Sequence, residues 1–413
     1  MSLNCFKKLR FITLLMCFGL SVVVGLSLAS SKAVADDSLA FQEWLHSFRL
    51  EAKNQGIQQR TLDATLAGLS LNPRIIELDR RQPEFTQTFW RYLSRRVTPD
   101  RIRRGRELLQ KHGALLKRIE KRYGVPPSFL VSFWGLESNF GDYTGKMSVI
   151  RSIATLAYNP RRRRFFTGEL ISALRIIERG DMAPTVKGSW AGAMGQTQFM
   201  PSTYLRYAVD GDGDGRRDLW GSFADIFSSS SNFLAKVGWK REQTWGREVR
   251  LPAGFKFELS GLKNRRPLSE WQTLGIRRTD GRNLPTIDVK AALVLPAGYK
   301  GPAFLVYRNF RTIMIWNRSI YYAIAVGRLA DRIIGMGALT AKPPADDVPL
   351  SRAQVKTMQQ RLTALGLDVG VADGVVGSKT RQAIKSFQRL AKMPPDGYPT
   401  LGLIEALSKF KLN

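Results

Sequence analysis

The sequence predicts a mainly α protein of the α+β class, a helical body that carries a small β insertion and is followed by a separate helical unit. Three observations point there. From Asp36 to about Asp181 apolar residues recur at helical spacing; between about Trp245 and Phe310 short β-type runs alternate with Pro-Ala-Gly and Asp-Gly turns; and a breaker-rich stretch precedes about sixty residues with further amphipathic helices. The 413 residues allow two or three domains of roughly 150 residues, each with its own core. An apolar fraction of 44% argues for a globular chain and against long disorder.

The first 35 residues differ from the rest. Lys7, Lys8 and Arg10 make a basic start, Phe11 to Leu28 is apolar and uncharged, and Ala33-Val34-Ala35 is a small-residue cleavage pattern before Asp36-Asp37. This is the layout of a secretory signal peptide. A retained anchor is the competing reading, because so short an apolar run lies at the lower edge of a membrane span. Both cysteines, Cys5 and Cys17, fall inside this segment, and the bulky Met16 before Cys17 argues against lipoprotein processing. A mature chain without cysteine excludes disulfides and thiolate nucleophiles. With only His46 and His112 as imidazoles, multi-His zinc and di-iron sites are excluded too.

Cleavage after Ala35 would remove four basic residues and no acid, changing the net charge from +30 to +26. Such a surface attracts polyanions. Arg80-Arg81, Arg95-Arg96 and Arg161 to Arg164 match no nucleic-acid module, so no nucleic-acid partner is expected. An exported basic protein faces the anionic polymers of a cell envelope instead; a merely solvated basic surface is the plainer alternative.

Along the body, Phe41, Leu45 and Phe48 form one helical face, and Leu108, Leu109, Leu115, Leu116 and Ile119 a second. Glu248 to Leu251, Thr286 to Leu295 and Ala303 to Val306 are the β-type runs of an insertion over about 245–310. A helix with Tyr321, Tyr322, Ile324, Ala325 and Leu329 closes the body at about 340. Ala341-Lys342-Pro343-Pro344-Ala345-Asp346-Asp347 opens a linker over 341–350. In the unit over 351–413, Val355, Met358, Leu362 and Leu365 give one helix stopped by Gly366, and Ala383, Ile384, Phe387 and Leu390 give another.

The chemistry centres on a carboxylate. Pro126-Pro127-Ser128 opens a helix through Ser138, with Gly141 marking its end. Glu137 lies four and eight residues beyond Phe133 and Phe129, on the aromatic stripe and near the helix C-terminus. Apolar surroundings and the negative end of the helix dipole both disfavour its anion, which suits a general acid. A second segment, Ser189 to Tyr204, lacks the lysine and spacing of a phosphate loop. Its glycines would let backbone approach a ligand, Gln198 can donate to and accept from sugar hydroxyls or acetamides, and Phe199 can stack on a pyranose face.

Glu137-Ser138-Asn139-Phe140-Gly141, Gly192-Ala193-Met194-Gly195 and Gln198-Phe199-Met200-Pro201-Ser202 together resemble the lytic murein transglycosylase B family, whose catalytic core is lysozyme-like. The likeness runs from about Phe41 to Ile334 and includes Gln82-Pro83-Glu84-Phe85, Pro160-Arg161-Arg162 and Asn317-Arg318-Ser319-Ile320-Tyr321-Tyr322. The C-terminal unit, through Asp368 to Thr380, Phe387-Gln388 and Asp396-Gly397, resembles a three-helix peptidoglycan-binding domain. The resemblance implies Glu137 as the sole catalytic acid/base, with Ser189, Gln198, Phe199, Asn317, Tyr322, Tyr92, Arg161 and Arg162 lining a glycan cleft. Trp316 and Phe233 stand where the family often has Tyr, so two hydroxyl contacts are expected to be absent.

The implied reaction cleaves peptidoglycan between N-acetylmuramic acid and N-acetylglucosamine and leaves a 1,6-anhydromuramoyl end. An internal 6-hydroxyl nucleophile needs no second carboxylate. A hydrolytic muramidase using Asp142 or Asp181 as its second carboxylate, and a non-catalytic murein-binding scaffold, are the alternatives. The expected setting is the periplasm, as a monomer, with peptidoglycan strands as partner and other cell-wall enzymes as candidate associates.

One further motif has metal-ligand spacing. Asp210, Asp212, Asp214 and Asp218 occupy positions 1, 3, 5 and 9 of an EF-hand-like loop with Gly215 at position 6. Position 12 is Gly221, so the usual bidentate Glu is missing; Asp225 would be a late ligand or the cap of the next helix. The family often carries calcium here, so a structural Ca²⁺ is expected, with no cofactor needed for the chemistry.

Overall fold

The computed structural model describes residues 37–80, 87–344 and 347–410. Residues 1–35, expected to be a signal peptide, and the Gln82-Pro83-Glu84-Phe85 motif lie outside the described residues. Among the described residues no helix is long and apolar enough to cross a membrane. The chain forms two compact units.

The first unit holds residues 37–80, 145–194 and 200–205. The predicted face of its first helix, residues 37–54, is buried: Phe41, Leu45 and Phe48 point inward, and Trp44 stacks on Phe48 with ring centroids 5.5 Å apart. The helices Gln59–Leu66, Pro73–Arg80, Val149–Tyr158 and Arg163–Glu178 also belong to this unit. Two short strands, β1 (Met147–Ser148) and β2 (Lys187–Gly188), pair antiparallel. No sequence pattern announced them, since two residues show no alternation.

The second unit holds the remaining described residues. The single face expected over Leu108 to Ile119 belongs to two helices, Pro99–Lys111 and Gly113–Tyr123, and only Leu116 and Ile119 of that set are fully buried. Pro127–Ser138 begins at its proline, as predicted, but ends before Gly141. Asn139 (φ 54°) and Phe140 (φ 62°) both adopt the left-handed conformation, so a side-chain-bearing pair makes the stop. Phe140 is held there because its ring packs onto Gly135, where an added Cβ would lie 2.7 Å from it. The helix is buried on every side rather than along one stripe; only Pro127 and Glu137 are half-exposed. Ser132 Oγ donates to the Val326 carbonyl (2.7 Å), tying it to the helix Ile320–Ile333.

The β insertion is an antiparallel sheet of β3 (Gly246–Arg250), β4 (Arg265–Pro267), β5 (Arg277–Arg278), β6 (Lys290–Val294) and β7 (Ala303–Val306), in the order β4-β6-β7-β3-β5. The three strands read from sequence are its middle. β4 and β5 were missed because Arg-Arg-Pro and Arg-Arg carry no apolar alternation, and they sit at the edges, where charge and proline are tolerated. Trp271, Leu293 and Leu305 centre its core.

The C-terminal unit is built from Arg352–Ala364, Ser378–Leu390 and Leu401–Lys409, the first opened by a capping box between Ser351 and Gln354. Val355, Met358, Leu362, Ala383, Ile384 and Phe387 form its core with Leu403 and Leu407 of the third helix, while Leu390 is exposed. Ahead of it the Thr340 and Ala341 N–H groups both donate to the Glu248 carboxylate on β3 (2.8 and 2.9 Å).

Candidate active site

Glu137 opens into a pocket of about 170 Å³ lined by Tyr92, Arg96, Leu136, Asn317 and Tyr322. Three segments deliver these groups. Thr88 caps the helix Phe89–Arg96 that carries Tyr92 and Arg96, accepting from the Arg91 N–H. Ser319 caps Ile320–Ile333 and so fixes Tyr322. Asn317 folds its Oδ1 onto the Ser319 N–H (3.1 Å) in the turn between.

Two donors converge on one oxygen. The Trp316 indole N–H reaches Glu137 Oε1 at 2.9 Å, and the Tyr322 hydroxyl donates to the same atom. Burial, then the neighbouring carboxylate, push the Tyr322 phenol well above its ordinary value, so it stays a neutral donor. At Trp316, where a hydroxyl contact was expected to be absent, the indole N–H makes a contact to Glu137 that the sequence reading did not foresee. Arg96, over the Tyr92 ring at 5.5 Å, was read only as part of a basic run, although its position four residues after Tyr92 puts the two on one helix face.

The Ser189–Tyr204 segment serves structure more than was expected. Phe199 is 2% exposed and packs against Trp316 and Phe233 with centroids 5.2 and 5.9 Å away, so it backs the indole and offers almost no face to a sugar. Gln198, at φ 52°, donates its amide to the Thr144 and Gly195 carbonyls (2.9 Å each). Gly192 and Gly195 accommodate Ile153 and Leu219, where a Cβ would come within 2.2 and 2.8 Å, rather than a ligand. Gln196 accepts from Trp134 Nε1 (2.7 Å) and donates to the Trp220 carbonyl (2.6 Å), clamping the Glu137 helix from outside.

Ser189, Arg161 and Arg162 belong to the first unit. Ser189 Oγ accepts the Ala191 and Ala193 N–H groups (3.3 and 3.0 Å). Arg161 and Arg162 both pair with the buried carboxylate of Asp79. Of the two alternative carboxylates, Asp181 lies in that unit as well. Asp142 is taken by the Arg104 guanidinium and the Asn139 amide (3.0 Å to the latter), chiefly the former, which holds it below the usual carboxylate range.

In the acidic loop, Asp210, Asp212 and Asp214 each present a carboxylate oxygen, all within 4.8 Å of one another. Asp218 is not of that group: its Oδ1 accepts the Trp220 and Gly221 N–H groups (2.8 and 3.0 Å). Asp225 lies outside that cluster and is not the cap. Ser222 caps the helix Phe223–Lys236, while Asp225 accepts the Gly211 and Asp218 N–H groups (2.6 Å each). Three clustered hard oxygens fit a hard divalent cation such as calcium.

The transglycosylase SLT domain family matches residues 40–331. This chain is a member of that family. The peptidoglycan binding domain family matches residues 351–407. A curated relative, membrane-bound lytic murein transglycosylase B of Escherichia coli strain K12, is 35% identical over 257 residues, which span 59% of this chain and 66% of that protein's own length. SltB3 from Pseudomonas aeruginosa, solved in complex with NAG-anhNAM-pentapeptide, is similar over 89% of this chain and 99% of its own, at 46% identity and a TM-score of 0.86. The lytic transglycosylase Slt35 of Escherichia coli, solved in complex with calcium, is 29% identical over 72% of this chain and 93% of its own, with a TM-score of 0.60. The helical core is thus of the lysozyme-like class.

Proposed function

We propose that this protein is a peptidoglycan lytic transglycosylase that cuts the β-1,4 bond between N-acetylmuramic acid and N-acetylglucosamine with Glu137 as its single acid/base. The observation that carries this is the Glu137 pocket, where among the described lining residues Glu137 is the one carboxylate and two donors meet its Oε1. An oxygen that accepts both donors leaves the acidic proton to Oε2. Oε2 gives that proton to the glycosidic oxygen as the C1–O bond breaks, and the Trp316 and Tyr322 donors steady the resulting anion. The carboxylate then takes the proton of the muramoyl 6-hydroxyl, whose oxygen closes on C1. Glu137 ends protonated as it began, and no water is consumed. The SltB3 structures, solved in complex with NAG-anhNAM-pentapeptide and NAG-NAM-pentapeptide, support peptide-bearing glycan as the substrate class.

Ca²⁺ would be held by Asp210, Asp212 and Asp214 and would brace the loop ahead of the Phe223–Lys236 helix, with no part in bond cleavage. The site of action is the periplasm after removal of residues 1–35. Glu137→Gln in the full chain tests the assignment: it retains binding to purified sacculi and stops release of fragments. Continued release would reject Glu137 as acid/base. Wild-type fragments carry ends one water lighter than a hydrolase leaves; hydrated ends would instead favour the muramidase reading.

A further inference from the structure

A second cavity, of about 420 Å³, adjoins the Glu137 pocket and has the size of a ligand site, roughly 300–1,000 Å³. One wall is the segment from Asn317 to Tyr321; the other comes from the C-terminal unit, with Ser378, Arg381 and Tyr398. Asn317 lines both spaces, and the Tyr321 ring lies 5.8 Å from that of Tyr92 in the Glu137 pocket.

The two walls are fastened to each other. Tyr321 hydrogen-bonds with Tyr398 and Arg381, Asp396 Oδ2 accepts the Tyr299 N–H (2.8 Å), and Lys385 Nζ donates to Ser260 Oγ and its carbonyl (3.1 Å each). Burial keeps both phenols neutral. Arg318 and Arg381 bring two positive charges to the lining, against which Asp347 acts nearby, and Val348, Val376 and Pro399 give it apolar stretches.

The geometry points to a subsite for the short anionic peptide that hangs from the lactyl group of a muramoyl residue held at Glu137. It rests on the lyase reading and extends it to substrate selection. In a peptide-bearing strand the lactyl carboxylate is consumed in an amide bond, so the sugars present no charge to this cavity. The peptide presents carboxylates and methyl side chains together, which two guanidiniums in a partly apolar wall complement. Binding energy from this remote part of the substrate then supports catalysis at the glycosidic bond.

The test uses the full chain on two substrates: soluble glycan strands with intact peptides, and the same strands stripped of peptide by an amidase. Arg318→Glu reverses a charge at an exposed position, and Ser378→Trp fills the cavity from the other wall without changing charge. Melting curves confirm that both variants are folded. The ratio of kcat/KM on peptide-bearing strands to that on stripped strands is expected to fall about tenfold or more in each variant. An unchanged ratio in the folded variants overturns the subsite and leaves the lyase reading standing. Wild-type protein that yields no anhydro-ended product from either substrate overturns both.

Discussion

The indole nitrogen of Trp316 lies 2.9 Å from Oε1 of Glu137, and its ring is wedged among Phe133, Phe199 and Phe233 at centroid distances of 4.4, 5.2 and 5.0 Å. Three phenyl rings leave the N–H a single direction to point. A donor fixed before reaction needs no reorganisation when the carboxylate becomes charged.

Trp316→Phe keeps that ring packing and deletes only the N–H. A hydrogen bond to a charged group contributes about 1.5–3 kcal/mol, so kcat on soluble glycan strands should fall by about 10- to 100-fold with KM changing less. An unaltered kcat would remove Trp316 from the catalytic arrangement.

Gly327 sits against Trp245, where an added Cβ would come within 2.2 Å of the ring. Alanine normally improves a helix interior by roughly 0.5–1 kcal/mol over glycine, but here the overpacking cost of about 1–3 kcal/mol dominates. Gly327→Ala should lower the urea midpoint. A raised midpoint would show that Trp245 yields easily.

How far these features were legible in the sequence varies with the range of the forces involved. The Glu137 helix could be read because Pro127 starts it and its apolar residues are local signals. Its end could not, since Asn139 and Phe140 take left-handed angles only because Phe140 finds Gly135. Glu137 itself stood out through its motif. The donor role of Trp316 did not, because it depends on a residue 179 positions away. Arg96 was legible, four residues after Tyr92 on one helix face, but its basic run drew attention away from that spacing. The Asp loop disclosed its three-carboxylate cluster by spacing, while the inward turn of Asp218 required the structure.

Asp331 is buried beside Trp245 Nε1 (3.1 Å) and Arg328 Nη1 (3.2 Å), and burial outweighs both partners, pushing its carboxyl up to about 6 from 3.8. The folded state therefore holds a proton that the unfolded chain has lost between those values. This contribution to stability is complete below about pH 3.8 and is lost as the pH rises through 6. Relative to Asp331→Asn, the wild type should lose roughly 2–3 kcal/mol between acid and neutral pH. Denaturant titrations of both proteins at each pH measure the difference; a constant gap would contradict the raised value.

Calcium at Asp210, Asp212 and Asp214 would act through stability. At a concentration about 100-fold above its Kd an ion bound only by the folded state adds about 2.7 kcal/mol, enough for a rise of several degrees in Tm. Asp210→Asn combined with Asp214→Asn should abolish the response to calcium and to chelator alike. A wild-type Tm indifferent to both would end the metal assignment.

Glu248 grips the chain at Thr340 and Ala341, so the stretch of sequence from there to the C-terminal unit is about nine residues long. Fully stretched, such a segment reaches about 30 Å. A unit released from Tyr321 and Ser260 would therefore wander no farther than that, at a local concentration in the millimolar range. A polymer bound by the tail would then be held within that reach of Glu137, so that binding would double as delivery.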